Sequence, residues 1–181
     1  MAGGTGECGR LSRPARREVA RPRPLVTPEA FVYPPAVSIP AKDEWIVRCD
    51  GGSRGNPGPA ALGYVLLDPA GREVDARGEC IGPATNNVAE YRALIAGLEA
   101  AGKAGADPVL VCMDSELVVR QMTGEYRVKN AGLKLLHAEA CRALAKLGRV
   151  RFSSVLREAN THADRLVNDA LDEVLGSESP R

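Results

Sequence analysis

The order of strand-like and helix-like segments constrains this chain most. Trp45-Ile46-Val47-Arg48-Cys49-Asp50 reads as a strand ended by Gly51-Gly52, and residues 53–59 (SRGNPGP) read as a loop. Ala61 to Leu67 reads as a second strand, Asp68-Pro69-Ala70-Gly71 as a hairpin turn, and Arg72 to Ile81 as a third strand. Turns this short argue an antiparallel meander. The period then changes. Asn87 to Lys103 places Val88, Tyr91, Leu94, Ile95 and Leu98 at helical spacing. Pro108 to Met113 reads as a buried strand, Ser115 to Met122 as a short helix, and Asn130 to Leu147 as a longer helix with Leu133, Leu136, Ala140 and Leu144 on one face. Val150 to Leu156 reads as a fifth strand and Thr161 to Leu175 as a last helix. The order β-β-β-α-β-α-α-β-α predicts an α/β fold with a mixed sheet, in which strands reached by helical crossovers run parallel to the first.

This pattern occupies residues 44–175. Residues 1–43 are rich in Pro, Arg, Ala and Gly and predict a disordered extension, with residues 176–181 as a flexible tail. Phe31-Val32-Tyr33 is the apolar patch of the extension and is expected to dock on the domain. The extension carries seven Lys/Arg against four Asp/Glu, within a total of 24 against 23. The body is therefore slightly acidic, which is awkward for a nucleic-acid binder unless some carboxylates hold cations. Aromatics are only 4% of the chain, so the core must rest on Ala, Val and Leu. No apolar run is long enough to span a membrane, and no apolar leader is visible. The five cysteines (Cys8, Cys49, Cys80, Cys112, Cys141) form no C-x-x-C pair, so a zinc site is not expected. They read as reduced thiols of a cytoplasmic protein, with Cys49, Cys80 and Cys112 as small core residues.

Four carboxylates fall where elements meet. Asp50 ends the first strand, Glu90 lies in the first turn of the first long helix, Asp114 ends the fourth strand, and Asp164 lies in the first turn of the last helix. If strands one and four are adjacent and parallel, Asp50 and Asp114 emerge side by side at their C-terminal ends, the edge where α/β sheets place ligands. Each acid also has a purely structural reading. Asp50 could serve the Gly51-Gly52 turn, Asp114-Ser115 could cap a helix, and Asn87-x-x-Glu90 and Thr161-x-x-Asp164 resemble capping boxes. Four acids converging on one edge would repel each other without cations, which favours a metal site over four coincidental caps. An all-oxygen ligand set suits Mg²⁺ or Mn²⁺, and a pair of such ions can clamp a phosphodiester.

At these residues the sequence resembles type 1 ribonuclease H. The matching motifs are Cys49-Asp50-Gly51-Gly52-Ser53-Arg54-Gly55-Asn56-Pro57-Gly58-Pro59, Thr85-Asn86-Asn87-Val88-Ala89-Glu90-Tyr91, Asp114-Ser115 and Asn160-Thr161-His162-Ala163-Asp164-Arg165-Leu166, in the family's order. The resemblance implies the ribonuclease H-like fold, with a five-stranded mixed sheet of order 3-2-1-4-5 flanked by helices. It implies hydrolysis of the RNA strand of RNA–DNA hybrids, leaving 3′-hydroxyl and 5′-phosphate ends, by a two-metal-ion mechanism. The cofactor implied is two Mg²⁺ ions, which Mn²⁺ can replace. By motif position, Asp50, Glu90, Asp114 and Asp164 are the implied catalytic metal ligands. Asn56, Asn86 and Asn87 are the implied readers of 2′-hydroxyls, a role suited to an amide that both donates and accepts. Thr85 resembles a residue that holds a DNA-strand phosphate. Competing readings are a DNA-processing member of the same architecture and a non-catalytic binder of hybrids or structured RNA.

The sequence departs from many relatives in two places. The loop before the last acid is short, and Arg157 or Glu158 stands where relatives carry a His. The short loop resembles an archaeal and bacterial subgroup in which Arg stands in, and Arg157 is expected to bind substrate. His162 precedes Asp164 by two residues and is expected to be exposed, and His137 to serve surface or packing. The basic helix that some relatives insert is also missing. Arg127, Lys129 and Lys134 remain as a modest phosphate-binding set, and the Arg-rich extension is either an added non-specific attraction or a solvated tail. Nothing in the chain demands more than a monomer.

Overall fold

The computed structural model describes residues 40–177. The Phe31-Val32-Tyr33 patch, the Arg-rich stretch and the last four residues lie outside the described residues. The order is β1 (Trp45–Ser53), β2 (Gly58–Leu67), β3 (Glu73–Ala84), α1 (Asn86–Ala104), β4 (Val109–Met113), α2 (Glu116–Met122), α3 (Ala131–Leu144), β5 (Val150–Ser154) and α4 (Thr161–Ser177), with a short 3-10 turn at Arg157–Ala159 before α4. The sheet runs β3-β2-β1-β4-β5. β1–β2 and β2–β3 pair antiparallel, and β1–β4 and β4–β5 pair parallel. This is the predicted α/β architecture with the predicted order.

The two faces of the sheet are built differently, as period-two alternation requires. Val47, Cys49, Leu62, Tyr64, Val111 and Met113 pack with Tyr91, Leu94 and Leu98 of α1 and Leu133 and Leu136 of α3 in the main core. Each of these large apolar side chains contributes about 1.5–3 kcal/mol by leaving water. Ala61 faces the other way and meets Val167 and Leu171 of α4 in a smaller cluster. That second face is nearly flat. A Cβ at Gly78 would lie 2.4 Å from the Leu166 carbonyl oxygen, so only glycine admits α4 this close to the sheet. Cys49 and Cys112 are buried and Cys80 is half-buried, all as free thiols.

Element ends differ modestly from expectation. β1 continues to Ser53, because Ile46 to Ser53 stays paired with β2 beyond the Gly-Gly pair. β5 stops at Ser154 rather than Leu156, since β4 ends at Met113 and leaves no further partner. The side chain of Asn130 caps α3 by accepting from the Leu133 N–H at 3.0 Å.

Candidate active site

The register brings the acids together. Cys49 sits opposite Met113 at the end of the parallel β1–β4 pairing, so the next residues, Asp50 and Asp114, leave adjacent strands side by side. Glu90 arrives from α1. A Cβ at Gly51 would lie 2.2 Å from both the Ala89 carbonyl carbon and the Glu90 nitrogen, so α1 can rest on β1 only where there is no side chain. The Gly51 N–H also donates to the Glu90 carboxylate. α1 begins at Asn86 with Thr85 as its N-cap, so Glu90 lies just past the first turn rather than within it.

Asp50, Glu90 and Asp114 each present an oxygen within 4.8 Å of the others. Asp50 and Glu90 are buried and Asp114 is half-buried. Glu90 Oε2 and Asp114 Oδ1 are shielded from solvent and have no hydrogen-bond partner. Burial first, then the Asp114 and Asp164 charges, push the Asp50 carboxyl up to about 7. Burial first, then Asp50 and Asp114, push Glu90 well above the usual carboxylate range. Buried acids with unpartnered oxygens and mutual repulsion are suited to divalent cations with oxygen ligands, so the residues present fit such ions.

Asp164 stands in the first turn of α4, as expected, and lines the same cavity of about 280 Å³ as the other three acids. It is held from two sides. Arg157 donates to Oδ1 through Nε at 3.1 Å and also through Nη2. Asn168 Nδ2 donates to Oδ2 at 3.1 Å. Of the two residues named for the place of the missing His, Arg157 meets Asp164 and lines the cavity, and Glu158 is not among the lining residues.

The structural readings of the acids find little support. Neither Thr85 nor Ser115, the N-caps of α1 and α2, makes a side-chain capping bond. Asn87 and Thr161 both lie inside their helices, so neither is the cap residue of a capping box.

Asn86 lines the cavity, and its N–H donates to Asn56 Oδ1 at 3.3 Å, which ties the β1–β2 loop to the start of α1. Asn56 and Asn86 are exposed, and Thr85 and Asn87 are half-buried beside them. Lys129 is exposed but is not among the residues lining the cavity. His162 is exposed and lies 3.6 Å from Glu73, away from the acids. His137 packs edge-on against Tyr91 and lies 3.3 Å from the Gln121 carbonyl, a packing role.

Sequence reasoning gave no role to Arg54, Asn168 or Asn160. Arg54 lines the cavity and is paired with Asp172 of α4. Asn168 follows Asp164 by four residues, so helical spacing alone could have flagged it. A larger cavity of about 560 Å³ lies at the opposite end of the strands, lined by Pro108, Met122, the end of α3 and the α3–β5 connection, with Glu44 and Arg151 among its charged residues. It is remote from the acids and holds none of the expected site residues.

Residues 48–170 match the family model described as reverse transcriptase-like. The bifunctional protein Rv2228c of Mycobacterium tuberculosis is 49% identical over 128 residues, covering 70% of this chain and 35% of that protein. The solved N-terminal RNase H domain of Rv2228c superposes with a TM-score of 0.72 at 45% identity, over 75% of this chain and 99% of that one. Ribonuclease HI of Halobacterium salinarum is 45% identical over 124 residues, 68% of this chain and 62% of that protein. LC11-RNase H1, isolated from compost and solved in complex with an RNA/DNA hybrid, gives a TM-score of 0.69 at 43% identity, over 72% of this chain and 99% of that one. The chain thus spans about a third of the length of the mycobacterial protein and under two thirds of the archaeal one.

Proposed function

Because this chain belongs to the type 1 ribonuclease H family, we propose that it is a metal-dependent endonuclease that cleaves the RNA strand of RNA–DNA hybrids. The observation that carries the reading is the group Asp50, Glu90 and Asp114, each with an oxygen within 4.8 Å of the others, and with Glu90 Oε2 and Asp114 Oδ1 unpartnered and shielded from water. The hybrid seen with LC11-RNase H1 supports the substrate class.

Asp50, Glu90, Asp114 and Asp164 would hold two Mg²⁺ ions, with Mn²⁺ as a substitute. When bound, such ions supply Lewis acidity toward the scissile phosphate and offset the charge that develops there. The remaining work falls to the chain's own residues. Arg157 and Asn168 hold the Asp164 carboxylate toward the cavity. Asn56 uses its oxygen on the Asn86 N–H, so its amide N–H groups remain for a 2′-hydroxyl. Asn86 and Asn87 present further amides of the same kind, and DNA has no hydroxyl to satisfy them. Thr85, whose hydroxyl makes no capping bond, is available to a DNA-strand phosphate. Lys129 supplies charge further along the hybrid. The products carry 3′-hydroxyl and 5′-phosphate ends. Among the described residues no helix is long and apolar enough to cross a membrane, and the free thiols suit a reducing cytoplasm. We place the protein there as a monomer, with residues 44–175 as its catalytic domain.

The test is metal-dependent cleavage of a labelled hybrid by the full chain. Cleavage of the RNA strand alone, lost on Asp114→Asn, supports the reading. Hybrid binding without cleavage would make the protein a binder, and cleavage of duplex DNA would make it a DNA-processing relative.

A further inference from the structure

Asn160 opens the last of the four motifs, yet no part of the site described so far uses it. It is fully buried, 0% exposed. Its Nδ2 donates to the Cys49 carbonyl at 2.8 Å, immediately before Asp50 in the chain. Its own carbonyl accepts the Asp164 N–H at 3.1 Å. One residue therefore bonds the backbone beside one acid and the backbone of another.

The surrounding contacts act in the same direction. Arg48 donates to the Ala159 carbonyl, and the Asn160 N–H donates to the Arg157 carbonyl at 2.9 Å. Arg157 in turn grips Asp164. The Cys49 carbonyl lies where β4 gives out, since Cys49 pairs with Met113, the last residue of that strand. The side-chain amide bonds the sheet where the neighbouring strand turns away. Asn160 Oδ1, meanwhile, has no partner. A buried acceptor left unpaired is costly, and an apolar residue filling this space would avoid that cost. What an apolar residue could not do is donate to Cys49.

We infer that Asn160 is a positioning residue: through the Cys49 carbonyl and the Asp164 N–H it sets the separation of Asp50 from Asp164, and with it the affinity of the acids for divalent cations. This rests on the ribonuclease H reading of the same site. Asn160→Ala removes the donor. Asn160→Asp keeps the shape and sets a carboxylate against a carbonyl.

The experiment compares the full-length wild type, both variants and Leu136→Ala, a core truncation in α3 that serves as a control for simple destabilisation. Mn²⁺ affinity is measured by calorimetry without substrate, alongside kcat and KM on a labelled hybrid and the melting temperature. Supporting residues of metal ligands typically cost about 10–100-fold in affinity or activity when removed, and that loss is expected for Mn²⁺ affinity and kcat in both Asn160 variants. KM is expected to stay near wild type, excess Mn²⁺ to restore part of kcat, and Leu136→Ala to melt earlier with unchanged Mn²⁺ affinity. Unchanged Mn²⁺ affinity in the Asn160 variants overturns the inference, as does an equal loss in Leu136→Ala. Loss of the thermal transition in both Asn160 variants would make the residue a core element and overturn it too. A wild type that neither binds Mn²⁺ nor cleaves would instead sink the ribonuclease H reading, and this inference with it.

Discussion

Gly51 lies directly against the Ala89–Glu90 peptide, where a Cβ would meet the Glu90 nitrogen at 2.2 Å. That contact sets how closely α1 approaches β1, and hence how closely Glu90 approaches Asp50. Gly51→Ala must push the helix outward by an ångström or more. The sheet and most of the core do not depend on this contact, so the variant should keep its circular dichroism spectrum. A misplacement of about 1 Å costs on the order of 100-fold in rate, and hybrid cleavage should fall by about that factor. Wild-type activity in a folded Gly51→Ala protein would contradict this geometry.

Repulsion among the acids predicts a pH dependence in the metal-free protein. The Asp50 carboxyl is raised from 3.8 to about 7, by burial first and then by Asp114 and Asp164. A raised carboxyl binds its proton more tightly in the folded state. Its contribution to stability is therefore full below about pH 4 and is lost as pH rises through about 7. Asp50→Asn removes that loss. In EDTA at pH 8 the variant should melt above wild type by about 3–6 °C, corresponding to roughly 1–2 kcal/mol. At pH 5 the difference should largely vanish. An equal gap at both pH values, or a lower melting temperature for the variant at pH 8, would count against the repulsion.

The Arg157–Asp164 pair is exposed on the arginine side, so it contributes little to stability, about 0–1 kcal/mol. Arg157→Ala should melt near wild type and lose about tenfold in kcat, the scale at which supporting contacts act on metal ligands. Lysine keeps the charge but not the planar fork, so Arg157→Lys should recover only part of that loss. A large drop in melting temperature with intact kcat would show that the pair serves the fold instead.

Recognition of RNA predicts a selective loss at Asn86. Asn86→Ala should weaken hybrid binding by about 1 kcal/mol or more, because a bond to the 2′-hydroxyl is gone, and should leave duplex DNA binding nearly unchanged. Filter binding at fixed salt measures both. Equal losses on the two substrates would remove the 2′-hydroxyl role.

The meander and the later alternation of helices and strands could be read from the sequence, because apolar periodicity and short turns are local signals. The strand order came with the family resemblance, and the convergence of Asp50 with Asp114 was conditional on strands one and four being parallel neighbours, which they are. Glu90 and Asp164 were legible as residues near helix starts, but their distances were not, since these depend on helices seated over Gly51 and Gly78. Asp114-Ser115 looked like a helix cap, and the Ser115 hydroxyl makes no capping bond. The role of Asn160 was invisible because its partner, Cys49, lies 111 positions away. Arg157 was singled out by position alone, and only the folded chain shows that its guanidinium meets Asp164.

The most direct test is cleavage by the purified full chain with Mg²⁺ or Mn²⁺ on four labelled substrates: RNA–DNA hybrid, duplex DNA, duplex RNA and single-stranded RNA, with Asp114→Asn run beside it. The account predicts metal-dependent cutting of the RNA strand of the hybrid alone, abolished in the variant. Cutting that survives in Asp114→Asn, or that needs no metal, would contradict it.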